Sequence, residues 1–278
     1  MIATTSVRAL SKVGRVRTQI DDLGFHVDLP DEVERVVSLV PSLTEAIAAT
    51  RPQALVGATD WCTHPADLDV PRVRGTKNPD VAAIAELAPD LVVANKEENR
   101  ELDVKRLRDK GIAVWVTDIE TVPQALDSMR RLFTEALGWG SPGWLDEADA
   151  LWRMSAGRAG EVGGSADTRR VVVPIWRDPW MVVGRPTYTA DLLQCLGCDA
   201  VVPDGAEGRY PHADLADLDD PSRADLVLLP DEPYVFTADD GPEAFVEVPT
   251  ELISGRLITW YGPAMVEAAR TLPAVLRR

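Results

Sequence analysis

The chain is short of cysteine, aromatic residues and basic charge, and it has no long apolar run. Its 278 residues include three cysteines, an odd number that leaves no complete disulfide framework. Cys195 and Cys198 form a lone C-x-x-C. A zinc site needs two further ligands, and no second C-x-x-C or H-x-x-x-H pattern supplies them. The pair therefore reads as small helix-packing side chains. No apolar segment approaches the roughly 20 residues of a membrane span. Arg8, Lys12, Arg15 and Arg17 stand near the start, without the apolar stretch of roughly 7–15 residues that a secretory signal requires, so the expected location is cytoplasmic. Lys and Arg number 29 against 45 Asp and Glu, a net charge of −16. Such a surface repels a phosphate backbone and excludes nucleic acid as a partner. No P-loop, Gly-x-Gly-x-x-Gly fingerprint or serine nucleophile elbow is present, so enzymatic chemistry has little support.

What is there is a sequence that nearly repeats itself. Arg35-Val36-Val37-Ser38-Leu39-Val40-Pro41 answers to Arg170-Val171-Val172-Val173-Pro174, at an offset of 135 residues. Asp90-Leu91-Val92-Val93 answers to Asp225-Leu226-Val227-Leu228 at the same offset of 135. A third pair, Gly111–Asp118 against Gly255–Tyr261, follows at an offset of 144. Two related units at this spacing imply two similar lobes, and the space between lobes is where small ligands bind.

Short β-branched runs alternate with amphipathic stretches in both halves. Strands are expected at Arg35–Val40, Ala54–Ala58, Leu91–Ala94 and Ile112–Thr117, then at Arg170–Ile175, Ala200–Val202, Leu226–Leu229 and Leu257–Thr259. Ser42 and Glu45 fit a capping box at the start of the first helix. Pro142–Ala159 reads as a long helix, and the small-residue stretch Gly160–Thr168 follows it. The fold class is α/β: two similar lobes, each a mostly parallel sheet flanked by helices, bridged by one long helix. The expected units are 1–140, a bridge and linker over 141–168, and 169–278.

In parallel sheets ligands bind beyond the carboxyl ends of the strands. That rule selects Pro41–Thr44, Trp61–His64, Asn95–Asn99 and Asp118 in the first half. In the second it selects Trp176–Trp180, Arg209–His212, Asp231–Tyr234 and Trp260–Tyr261. Trp61, Trp176, Trp180 and Trp260 all fall there. Each either stacks on a large flat ligand or plugs the junction between lobes. His64 and His212 are either axial metal ligands or hydrogen-bonded loop histidines. Asn95, Lys96 and Arg177 are the polar groups best placed to give specificity. Glu97, Glu98, Asp231 and Glu232 occupy equivalent places in the two halves, as a solvated rim or as contacts to a basic partner or to amide and hydroxyl groups. Glu45 is assigned to capping alone.

Three of these segments carry a family resemblance. Arg35-Val36-Val37-Ser38-Leu39-Val40-Pro41-Ser42-Leu43-Thr44-Glu45, then Leu55-Val56-Gly57, then Leu87-Ala88-Pro89-Asp90-Leu91-Val92-Val93 resemble the vitamin B12 and ferric-siderophore substrate-binding proteins of ABC importers. The strand-Pro-Ser-Leu-Thr-Glu form is closer to the B12 group. The resemblance implies a rigid two-lobed receptor, a monomer that needs no cofactor and clamps its ligand without catalysis, with an ABC permease as partner. Carried over by position, the cleft would be lined by Pro41, Ser42, Trp61, Cys62, Asn95, Trp176, Trp180, Tyr210 and Trp260. No docking glutamate stands at Val70-Pro71-Arg72, where one would be expected. The leading expectation is a cobalamin-like corrinoid. Two alternatives stand beside it. One is a ferric siderophore or haem-like chelate held by Lys96, Arg177, Arg185 or Arg209, since anionic chelates need cations. The other is an intracellular enzyme or corrinoid-handling protein that reuses the fold.

Overall fold

A computed structural model describes residues 16–162 and 168–277. The stretch 163–167, most of the small-residue segment noted above, lies outside the described residues, as does 1–15. Two four-stranded sheets organise the rest, and all their pairings are parallel. The first runs Leu55–Ala58, Val36–Ser38, Leu91–Asn95, Val114–Thr117. The second runs Cys198–Ala200, Arg169–Val172, Leu226–Pro230, Thr250–Ile253, the same order in space.

The sequence repeat is a repeat of register. Val36 pairs with Leu91, and Val171 pairs with Leu226. Val92 then pairs with Val114, and Val227 with Thr250. The first three of these equivalences keep the 135-residue offset, and the last has gained one residue. The central strands Leu91–Asn95 and Leu226–Pro230 are wholly buried, as continuous apolar runs in parallel sheets should be.

Several local expectations are corrected. Leu257–Thr259 is not the last strand: it lies in the helical turn Arg256–Thr259, and the edge strand is Thr250–Ile253. The 144-residue match therefore paired a strand with a helix. Arg170–Ile175 divides into Arg169–Val172 and a hairpin, Pro174–Trp176 against Met181–Val182. The strand expected at Ala200–Val202 is Cys198–Ala200. The capping box does not form. The first helix, Pro41–Thr50, starts with Pro41 in its first turn, where its missing N–H costs nothing, and no side chain caps it. Glu45 is thereby free for another partner.

The helix Gly143–Val162 joins the halves. It packs on Val122–Arg131 from the first lobe, and on Tyr188–Cys195 and Ala264–Val275 from the second. Its Leu145, Ala148 and Trp152 are buried in one apolar cluster with Phe133 and Met129 on one side and Leu193 and Leu272 on the other. The Trp152 indole N–H donates to the Met265 carbonyl at 3.0 Å. The lobes thus share a core through this helix, and each keeps a smaller cluster on its outer sheet face.

Candidate ligand cleft between the lobes

Each sheet delivers its loops to the junction at the carboxyl ends of its strands. The lobes meet there through long-range contacts. Arg209, on the segment between the strand Cys198–Ala200 and the short helix Leu215–Leu218, donates to Glu97 at 2.6 Å and to Glu120 at 2.5 Å. Glu97 leaves the end of the strand Leu91–Asn95, and Glu120 follows Val114–Thr117. The Tyr210 hydroxyl donates to the same Glu97 carboxylate. Deeper in, Arg256 donates to Glu45 at 2.9 Å across 211 residues of sequence. It also reaches Glu267 at 2.7 Å. A half-buried, doubly paired arginine of this kind fixes two elements against each other.

Aromatic contacts close the rest of the junction. Trp260 meets His64 edge-on, with ring centroids 5.3 Å apart. Its indole N–H and the Thr259 hydroxyl both bond the Glu232 carboxyl. Tyr261 is buried, and its hydroxyl bonds Ser42 and Thr117 of the first lobe. Gly262, at φ +130°, lets the chain pass against the first helix: a Cβ there would sit 3.4 Å from both Ser42 O and Ala46 Cβ.

The expected ligand residues divide clearly. Trp61, His64, Lys96, Trp176 and Tyr210 are exposed, and Pro41 and Arg177 are half-buried. Trp61 is 66% exposed and Trp176 46%, which is unusual for indoles unless they serve a surface that binds. Trp176 is braced edge-on by Tyr234, whose hydroxyl donates to Asp240 at 2.7 Å. Ser42, Cys62, Asn95, Trp180 and Trp260 are buried. Trp180 lies parallel to Phe236, centroids 6.0 Å apart, and against Phe245, in the second lobe's outer core. Asn95 faces inward: its Nδ2 donates to Thr117, and its Oδ1 caps the N–H groups of Glu97 and Glu98. Cys62 lies between the Thr44 and Thr59 hydroxyls, and burial pushes its thiol pKa up. Burial likewise raises Cys195 and Cys198 to about 11, so both thiols stay protonated at neutral pH. Sequence reading missed Glu120 and Arg256 altogether, although Asp118, two residues before Glu120, drew attention to that loop.

Three of the four cations expected to hold an anionic chelate, Lys96, Arg177 and Arg209, have carboxylate partners, and the fourth, Arg185, is exposed. Lys96 donates to Asp118 at 2.7 Å. Arg177 pairs with Asp240 and Glu243 and lies over the Trp180 ring. Burial, together with Glu97 and Glu232, raises the Glu98 carboxyl against the opposing pull of Lys77. Burial raises Glu232 also. Among the described residues, no group of three His, Cys, Asp or Glu is placed to hold a metal ion. No helix there is long and apolar enough to cross a membrane. A cavity of about 740 Å³, lined by Arg169, Cys198 and Asp225, lies at the amino ends of the second sheet's strands, away from this junction.

Likenesses in sequence and in structure bear on this architecture. The chain is 25% identical over 176 residues to the vitamin B12-binding protein of Pectobacterium carotovorum, covering 62% of each chain. It overlays the periplasmic vitamin B12 binding protein of Vibrio cholerae with a TM-score of 0.68, at 16% identity and covering 88% and 97% of the two chains. Its fold is that of the periplasmic vitamin B12- and heme-binding proteins. A periplasmic heme-binding protein from Pseudomonas aeruginosa overlays it with a TM-score of 0.71, at 19% identity over 88% and 92% of the chains. No protein-family model matches. The match to the curated relative spans 62% of that relative's length. These likenesses correct the expected cytoplasmic location, because the solved structures of this type are periplasmic proteins. The composition of a leading segment does not decide a compartment.

Proposed function

We propose that the protein binds a cobalamin-like corrinoid between its two lobes, without transforming it, and hands it to an ABC permease. The organisation proposed with this is two binding lobes, 1–140 and 169–278, held by the bridge over 141–168. The observation that carries the reading is the pair of exposed indoles, one on each lobe: Trp61, just after the parallel strand Leu55–Ala58, and Trp176, in the hairpin that follows the parallel strand Arg169–Val172. A flat, largely apolar macrocycle gains about 150–250 Å² of contact from each such ring. Lys96, His64 and Tyr210 supply polar contacts around it. The helical bridge and the Glu45–Arg256 pair keep the lobes in place, which limits the ordering cost of binding. Relatives named vitamin B12-binding proteins support the ligand class.

The test is isothermal titration with cyanocobalamin, followed by recovery of the ligand. A saturable one-to-one isotherm with unchanged cobalamin recovered supports the reading. No heat of binding, or a chemically altered corrinoid, overturns it.

A further inference from the structure

The fold described above carries both vitamin B12 binders and heme binders. Both ligands are built on a tetrapyrrole-type macrocycle, and the two macrocycles differ in charge at the rim. Heme bears two propionate carboxylates. The corrin ring of cobalamin is edged by neutral amides. Something in the cleft must distinguish them, and Arg209 is the natural counter-ion for a propionate.

Arg209 is already committed. Its guanidinium bonds Glu97 at 2.6 Å and Glu120 at 2.5 Å, so two carboxylates surround one positive charge. An incoming carboxylate meets net negative charge there. To displace either glutamate it must break charge-assisted hydrogen bonds, which are about twice as strong as neutral ones, and the guanidinium N–H groups left over, the buried Nε–H among them, still lie beside two negative charges. The neighbouring Glu98 and Glu232 carboxyls add to the repulsion when ionised. An amide rim carries no charge to repel, and its N–H groups donate to carboxylate oxygens. Like charges brought together across an interface are a recognised device for rejecting wrong partners.

We propose that Glu97 and Glu120 are specificity-determining residues: by occupying Arg209 they turn away carboxylate-bearing macrocycles and admit neutral, amide-rimmed ones. The choice of a corrinoid as the admitted ligand rests on the function proposed above, whereas the charge rule does not.

The experiment titrates hemin and cyanocobalamin into three proteins at pH 8, following quenching of tryptophan fluorescence. The proteins are the wild type, Glu97→Gln/Glu120→Gln, and the same double variant with Arg209→Ala. Glutamine keeps the size of the side chain and a hydrogen bond to Tyr210 while removing the charge. The double variant should bind hemin at least about tenfold more tightly than the wild type, with the ratio of cobalamin to hemin affinity falling accordingly. Adding Arg209→Ala should cancel that gain. Glu120→Gln alone, which leaves Tyr210 untouched, should give a smaller gain in the same direction. Unchanged hemin affinity in the folded double variant overturns the proposal, as does a gain that survives Arg209→Ala. A wild type that ignores cyanocobalamin, with the hemin gain present, removes the corrinoid reading and leaves the charge rule standing.

Discussion

Asp90 and Asp225 perform the same task in the two lobes. The Asp90 carboxylate accepts the Arg35 N–H at 2.9 Å, and the Asp225 carboxylate accepts the Arg170 N–H at 2.8 Å. In return each aspartate N–H donates to the carbonyl of its arginine, at 2.8 Å in both cases. Each arginine side chain then reaches carbonyls of the turn before the aspartate: Leu87 and Ala88 in one lobe, Pro221 and Ser222 in the other. The clamp joins the start of the two central strands and fixes their register. A one-residue slip would break it and turn the buried faces outward.

Asp90→Ala and Asp225→Ala should each therefore lower stability by about 1–2 kcal/mol, through the orphaned strand N–H groups. The sites belong to separate sheets, so the double substitution should equal the sum to within about 0.5 kcal/mol. Urea denaturation of the four proteins checks this.

The Asp225 clamp should also show in the pH dependence. The hydrogen bond from Arg170 holds the Asp225 carboxyl below the usual carboxylate range. A depressed folded value means the contribution is complete above the ordinary value of about 4 and disappears as pH falls through the folded value. Asp225→Asn should close part of the stability gap between neutral pH and pH 3. Melting curves of wild type and variant that stay parallel across this range would contradict it.

Glu98 has the opposite sign. Its carboxyl is raised by burial and by Glu97 and Glu232. Its favourable contribution is then present below the ordinary carboxyl value and is lost as pH rises through the raised one. Glu98→Gln should raise the melting temperature at pH 8 relative to wild type and change it little at pH 4. Equal shifts at both pH values would count against it.

The two tryptophans of the Trp176–Trp180 loop should behave differently. Trp180 is a core residue, and Trp180→Ala should cost about 3–5 kcal/mol. Trp176 is exposed, and Trp176→Ala should leave stability within about 1 kcal/mol of wild type. Thermal melts separate the two outcomes.

The repeat was legible because buried parallel strands are continuous apolar runs, and Leu91–Asn95 and Leu226–Pro230 declare themselves. The last strand was not. Thr250-Glu251-Leu252-Ile253 is an edge strand with one buried residue, so no apolar run marks it. Leu257-Ile258-Thr259 has the composition of a strand, but it forms a helical turn whose Ile258 alone is buried. The site was legible in part, because indoles just after buried strands stand out. Which of them face solvent was not, since Trp176 and Trp180 differ only in the core that Phe236 and Phe245 bring to one of them. The lobe-joining pairs could not be read. Arg209 and Glu97 are 112 residues apart and Arg256 and Glu45 are 211 apart, and local spacing carries no trace of such partners. Glu45 looked like a capping residue because its sequence neighbours permit that role and its true partner is distant.

The central claim is a macrocycle held between Trp61 and Trp176. The direct measurement is a tryptophan fluorescence titration with cyanocobalamin on the wild type, Trp61→Ala and Trp176→Ala. The account predicts saturable quenching at micromolar concentration or below, weakened by at least about tenfold in each variant. Quenching that fails to saturate in the wild type, or that saturates identically in all three proteins, would contradict it.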